Sequence, residues 1–274
     1  MYYDPKPTKY PFPDDTSSHY LKIKKDNGII FDKDYPYIET SKAFKFTRFI
    51  SRFLLYTIVF QFSKIKCGLR IEGKKNLKKH KELIKNGVIS VSNHIHMWDY
   101  ICIMKALPKW PYTLVWAPNI RGENGKLVRI VGGIPIPENN LSGTQAFMKS
   151  VSKLLNEGNW IHIYAEGSMW EYYKPIRPFK SGAFSIALIN KKPIIPMAFS
   201  YRKPGIFCKL FKIPAKLTLK IGEPIMIDSS TSNSNQKDEL IKKCHDEVCK
   251  LAGIDPKDNI YDAIYNNSKK INYY

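Results

Sequence analysis

Val88-Ile89-Ser90-Val91-Ser92-Asn93-His94-Ile95-His96-Met97-Trp98-Asp99-Tyr100 changes character in its middle. A short β-rich run ends at Asn93-His94, and residues suited to a helix follow from Trp98. The spacing puts His94 on the loop that leaves a strand and Asp99 in the first turn of the next helix. From there the carboxylate can reach back to one imidazole nitrogen, fix the tautomer and stabilise the imidazolium. The other nitrogen is left as a general base. This is the base and orienter of a Ser-His-Asp triad, with the nucleophile left to the substrate. Standing alone, the same residues also read as a helix-terminal carboxylate beside a structural loop histidine.

The alternation of strand and helix extends outward from this stretch. Candidate strands are residues 68–72, 87–92, 112–117, 133–137, 159–164, 193–199 and 216–222. Candidate helices lie near 98–106, 122–131, 144–156, 182–190 and 236–251. The pattern predicts an α/β fold with a mostly parallel central sheet flanked by helices, and ligands in such folds sit at the carboxyl ends of strands. An amphipathic helix precedes this domain. In residues 43–62, Lys45, Arg48 and Arg52 share one stripe, with Phe46, Phe49, Ile50 and Phe53 turned away from it. The run after Arg52 is apolar on all sides but too short to span a bilayer. It reads either as a helix covering the core or as one lying in a membrane interface. Basic residues from Lys64 and Lys66 to Lys85 follow at once and favour an anionic membrane surface. The first 40 residues, rich in Pro, Tyr, Asp and Lys, read as an irregular arm whose aromatics pack on something. The expected organisation is an arm and interface helix over 1–62 and an α/β domain over 63–274, with a Ser/Asn-rich loop at 229–235 before its last helix.

Composition narrows the function classes. Lys and Arg number 44 against 24 Asp and Glu, a net charge of +20 in 274 residues. A balance this basic predicts an anionic partner: nucleic acid, an acidic membrane or a phosphate-bearing substrate. The aromatic content excludes a wholly disordered chain, and no long uncharged apolar run suggests a multi-pass membrane protein. The five cysteines, Cys67, Cys102, Cys208, Cys244 and Cys249, are odd in number and show no CxxC spacing. They read as reduced, mostly buried thiols, with no metal site expected; the first 15 residues lack the apolar run of a secretory signal.

Three further segments join the first. Trp160 to Ser168 runs from a strand into Glu166-Gly167-Ser168, where backbone N–H groups could hold an oxyanion or a phosphate. Gly132 to Glu138 is a Gly pair followed by a short strand, and Pro193-Ile194-Ile195-Pro196 is a Pro-flanked apolar run. In this order the four segments resemble the sequence blocks of the glycerolipid acyltransferase family, the 1-acyl-glycerol-3-phosphate acyltransferase-like enzymes with an HxxxxD motif. Pro178 to Phe184 is similar to that family's segment after the third block. The resemblance covers about residues 67–225.

The resemblance implies an O-acyltransferase that moves an acyl chain from acyl-CoA or acyl carrier protein to a hydroxyl of a lysophospholipid or related acceptor, with no metal or other cofactor. It makes His94 the base and Asp99 its orienter, and places Asn93, Glu166, Gly167, Ser168, Lys180 and Pro196 around the substrate. It further implies a peripheral protein on the cytoplasmic face of an anionic membrane. Two positions depart from the family. Glu138 and Met169 stand where members using glycerol phosphate commonly carry arginine, and neither suits a phosphate. Either Arg121, Arg129, Lys174, Arg177 or Lys180 takes over, or the acceptor carries no simple glycerol phosphate and is, for example, a glycan. The +20 charge keeps a nucleic-acid-binding protein in view, although no zinc-finger, RNP-like or GXXG pattern supports it. The missing arginines likewise keep a lipid-binding protein with a dead site in view.

Overall fold

The computed structural model describes residues 3, 5, 18–19, 26–62, 68–206, 208, 213–227, 235–257 and 259. Lys64, Lys66, Cys67 and most of the expected 229–235 loop lie outside them. Seven strands form one sheet, β1 (Arg70–Glu72), β2 (Val88–Ser92), β3 (Tyr112–Trp116), β4 (Gly133–Ile136), β5 (Trp160–Tyr164), β6 (Ile194–Arg202) and β7 (Lys216–Ile221). Their spatial order is β1-β7-β6-β2-β5-β3-β4. Every pairing is parallel except β6 with β7. The mostly parallel α/β fold read from the sequence is therefore present, and each expected strand has its counterpart.

The central strand β2 is buried along its whole length, as a parallel strand covered on both faces must be. Its alternate residues serve two cores. Ile89 and Val91, with Ile161, Ile163 and Ile194, meet α7 (Leu141–Asn156), α8 (Gly182–Asn190) and α9 (Gln236–Ala252). Val88, with Trp160, Ile195 and Phe199, meets α2 (Lys74–Lys79), α3 (Lys81–Lys85) and α4 (Asp99–Ala106) on the other side. Gly87 makes the entry into β2 possible: its φ is +88°, and a Cβ there would lie 1.9 Å from the Leu155 carbonyl oxygen.

The helix expected at 122–131 is α6 (Gly125–Ile130), and a short helix the sequence reading did not give, α5 (Ala117–Arg121), precedes it. The backbone is extended at Gly122, and α5 ends there. The arm's described part is irregular, as expected, and packs on the body. Phe31 and Tyr37 are buried in the core that holds Phe147. The Tyr37 hydroxyl donates to the Phe31 carbonyl, and Arg129 donates to the Tyr37 carbonyl at 2.7 Å. The change in composition at 62/63 is thus a change of sequence character and not a break in packing.

Helix α1 (Lys42–Leu54) is capped by Ser41, whose side chain accepts from the Phe44 N–H, and continues into a π-helical turn at Leu55–Val59. Two residues of its basic stripe turn toward the body, while Lys45 stays exposed. Arg48 donates to the Tyr112 hydroxyl at 2.7 Å and lies over that ring, and Arg52 lies over Trp110. The opposite face leaves Phe46, Phe49 and Phe53 more than 60% exposed, at 67%, 65% and 62%. Among the described residues no helix is long and apolar enough to cross a membrane.

Candidate active site

Strands β2 and β5 are parallel neighbours, and their register pairs Ser92 with Tyr164. They end level, so the loop that begins at Asn93 stands beside the loop that begins at Ala165. The site is built where these two loops leave the carboxyl end of the sheet.

His94 and Asp99 meet as the spacing predicts. The imidazole Nδ1 lies 3.0 Å from Asp99 Oδ2, with the carboxylate fully buried and the His94 side chain 23% exposed. The same carboxylate oxygen accepts the backbone N–H groups of Ile95 at 2.7 Å and His96 at 2.9 Å. Asp99 opens α4 and is fixed by that loop, so it can hold Nδ1–H and leave Nε2 to face the opening. Nε2 has no hydrogen-bond partner among the described residues. Tyr164 lies flat on the other side of this imidazole, with ring centroids 3.8 Å apart and planes 12° from parallel. Burial, then the charge of Asp99, raises its phenol well above the ordinary range, so a neutral π-face backs the imidazole.

The remaining predicted residues are placed differently. Glu166 and Ser168 are each 3% exposed and turned inward. Glu166 accepts the His94 N–H at 3.0 Å and the Arg177 N–H at 2.8 Å, and pairs with the Arg177 guanidinium at 2.9 Å. Arg177 also donates to Ser168 Oγ at 2.6 Å and lies over Trp170. These residues lock the second loop to the first rather than face the opening. Asn93 is a latch: its amide donates to the Phe199 carbonyl at 3.1 Å and accepts the Phe199 N–H at 2.8 Å. Pro196 is buried inside β6 opposite Val91. Gly167 is exposed, with a φ of +77°, and a Cβ there would lie 2.7 Å from Lys180 Cδ. The Lys180 stem therefore crosses directly over the turn.

Of the five cations that could replace the missing arginines, three are committed elsewhere. Arg121 pairs with Glu138 at 2.9 Å and donates to the Ile29 carbonyl. Arg129 holds the arm, and Arg177 holds Glu166. The side chains of Lys174 and Lys180 make no hydrogen bond or ion pair among the described residues, and the Lys180 backbone N–H donates to the Ala165 carbonyl at 2.8 Å.

Beneath the two loops runs a buried chain of hydrogen bonds. Trp160 Nε1–H donates to Ser90 Oγ at 2.8 Å, and Ser90 lies 2.9 Å from His162 Nδ1. His162 Nε2 lies 3.3 Å from Ser92 Oγ, which donates to the Asn93 carbonyl at 2.9 Å. One assignment satisfies every link, with each hydroxyl donating onward and His162 neutral and protonated on Nε2. Burial pushes His162 down to about 3, with the charge of His94 acting in the same direction. The unfolded chain therefore takes up a proton near pH 6.5 that the folded one refuses, and stability falls as pH drops from there toward 3. Between pH 6 and 4 this group is expected to cost the wild type about 1.4 kcal/mol per pH unit. His162→Gln should escape that loss, a difference that urea unfolding across the range will measure.

Sequence patterns match the same region. Residues 68–200 fit the family described as Acyltransferase. A 1-acyl-sn-glycerol-3-phosphate acyltransferase of Cocos nucifera is 27% identical over 158 residues, 54% of this chain and 48% of that protein. One of Haemophilus influenzae is 26% identical over 58% of this chain and 65% of its own length, and one of Bacillus subtilis is 32% identical over 37% and 47%. Over residues 68–200, a little under half of its length, the chain is therefore similar to the acyltransferases. It spans about half to two thirds of these relatives' lengths. The fold is likewise similar to that of a solved acyltransferase. The crystal structure of the 1-acyl-sn-glycerophosphate (LPA) acyltransferase PlsC from Thermotoga maritima superposes with a TM-score of 0.52 at 17% identity, over 78% of this chain and 83% of that one. Within the acyltransferase framework, the stacking of Tyr164, the Arg177 lock and the His162 chain had no signal in the sequence. Each depends on the register of β2 against β5, which periodicity does not give.

Proposed function

We propose that the protein transfers an acyl group from acyl-CoA or acyl carrier protein to a hydroxyl of a lysophospholipid or related acceptor. The observation that carries this reading is the His94–Asp99 pair at the carboxyl end of the sheet, with Nε2 left without a partner. The acceptor O–H gives its proton to Nε2 as its oxygen attacks the thioester carbonyl. The tetrahedral centre collapses, the C–S bond breaks, and the thiolate takes the proton back from the imidazolium. The products are an ester and a free thiol, and His94 returns neutral. Asp99 stabilises the transient imidazolium. The step uses no acyl-enzyme. The test is mass spectrometry of products when purified protein meets acyl-CoA or acyl carrier protein and a panel of lysolipid, glycerol-phosphate and glycan acceptors. An acylated acceptor supports the reading; no acylated product with either donor overturns it.

We also infer that the protein works as a peripheral protein on the cytoplasmic face of an anionic membrane, with the outward aromatic face of α1 as its contact. Residues 42–62 present Phe46, Phe49, Phe53 and Phe62 to solvent, and the +20 charge would draw the chain to acidic lipid. A soluble lid would bury this face; an interfacial helix exposes it. Replacing Phe46, Phe49 and Phe53 together by Ser leaves the inward Arg48 and Arg52 contacts in place. It is expected to weaken binding to phosphatidylglycerol-containing vesicles by at least about tenfold, since each Phe is worth about 1.5–3 kcal/mol when fully buried. Unchanged vesicle co-sedimentation would remove α1 from the membrane contact.

A further inference from the structure

Two residues of the arm lie over the site. The Trp170 backbone N–H donates to the His94 carbonyl at 3.0 Å, and its indole N–H donates to the Ser18 carbonyl at 3.0 Å. Ser18 is thus tied to the catalytic loop through a single residue. The next residue, His19, lies flat on Trp116, with centroids 3.7 Å apart and planes 12° from parallel. Trp116 ends β3 and Trp170 follows β5, and these strands pair. The arm is therefore pinned by one tryptophan from each of two neighbouring strand ends, beside His94.

The charged groups acting on His19 are Lys180, Arg177, Glu138 and His94. Arg177 is spent on Glu166 and Ser168, and Glu138 on Arg121. Lys180 is the exposed cation that remains, and its stem is laid over Gly167. The mouth of the site therefore carries a positive field with an imidazole at its rim.

We propose that His19 and Lys180 together form the wall that reads the acceptor headgroup, and that the group they read is a phosphate. The inference rests on the acyl-transfer reading above and deepens it. A phosphate monoester brings a charge of about −1.5 to −2 and three strong acceptor oxygens. A lysine supplies a point charge for it and an imidazolium supplies an N–H. An uncharged glycerol or sugar headgroup gains nothing from Lys180. The pair resolves the conflict left by Glu138 and Met169: the phosphate contact is moved from those two positions to a residue of the domain and a residue of the arm. His19 lies outside the segment 68–200 that matches the family, so this recognition belongs to the chain's own sequence.

The arrangement carries a pH signature. Burial, followed by the charges of Lys180 and Arg177, holds His19 below its usual range; Glu138 opposes this and His94 adds to it. A bound phosphate draws a proton onto the ring. Affinity for a phosphate acceptor then rises as pH falls below neutrality. Protonation of the ligand itself is common to wild type and variant and cancels between them.

The test uses the whole protein with acyl-CoA and two acceptors in mixed micelles, 1-acylglycerol 3-phosphate and 1-acylglycerol. His19→Ala and Lys180→Gln are each expected to raise KM for the phosphate acceptor about tenfold or more, the size of one charge-assisted hydrogen bond. The change should fall on KM rather than kcat and should spare 1-acylglycerol. The acid-side gain in affinity should flatten in His19→Ala. An equal loss with both acceptors would make the arm a mere strap and overturn the proposal, as would no change with either. Calorimetric binding of glycerol 3-phosphate to the whole protein needs no turnover and separates the two readings. Binding that depends on His19 in a protein without acyl transfer keeps this inference and removes the acyl-transfer reading. Acyl transfer to a phosphate acceptor that ignores His19 removes this inference alone.

Discussion

His94→Ala is expected to lower acyl transfer about 10³-fold while the protein stays folded, the middle of the range for a positioned general base. The side chain is partly exposed, and the fold uses this residue mainly through its backbone. Its N–H goes to Glu166 and its carbonyl receives the Trp170 N–H, and alanine keeps both. What alanine loses is Nε2, the proposed proton acceptor, and the ring that Tyr164 and Asp99 hold. Asp99 is a poorer probe of the same mechanism. Its one carboxylate oxygen serves His94, Ile95 and His96 at once, and the residue is fully buried. Removing it would loosen the loop and confound catalysis with stability. The measurement is steady-state turnover of His94→Ala beside its circular dichroism spectrum and thermal midpoint. A folded variant with near wild-type turnover would show that another group takes the proton.

The reason the His94–Asp99 contact could be read from sequence, and the other contacts of His94 could not, is a matter of distance along the chain. His94 and Asp99 are five residues apart on one strand-loop-helix unit, so local geometry alone brings them together. The strands were legible for the same reason: β2, β5 and β6 are short apolar runs whose alternate residues face two layers of helices. Tyr164, Arg177 and His19 reach His94 only through the pairing of β2 with β5 and the path of the arm, and such contacts leave no periodic trace. The roles given to Glu166 and Ser168 illustrate the difference. The triplet stands where the sequence puts it, beside His94, but its side chains point into the protein because Arg177, eleven residues on, folds back to meet them. The helix expected at 122–131 is present as α6, and what the sequence reading missed is the five-residue α5 before it, which ends at the extended backbone of Gly122.

Arg177→Met should cost about 3–5 kcal/mol of unfolding free energy, the penalty for removing one partner of a buried ion pair. The Glu166 and Arg177 side chains are 2% and 1% exposed, so water cannot replace the lost guanidinium. Methionine fills much of the volume and keeps an apolar contact with Trp170, which isolates the electrostatic loss from a cavity. Glu166 still accepts the His94 and Arg177 backbone N–H groups, but its charge is left without a counter-ion in the interior. Glu166→Gln in the same chain removes that charge. The double variant should therefore recover at least half of what Arg177→Met loses, because the damage lies in the stranded carboxylate more than in the missing attraction. Denaturant unfolding of the two single variants and the double variant closes the cycle. A loss below about 1 kcal/mol for Arg177→Met would place the pair among weakly contributing surface bridges and would contradict the buried geometry. The same cycle read by activity separates two duties of the loop. If the pair serves only to hold Gly167 and Ser168 against His94, turnover in the double variant recovers together with stability. A double variant that regains its stability but not its turnover would mean that the Arg177 charge also acts on the reaction, across Glu166, at the catalytic loop itself.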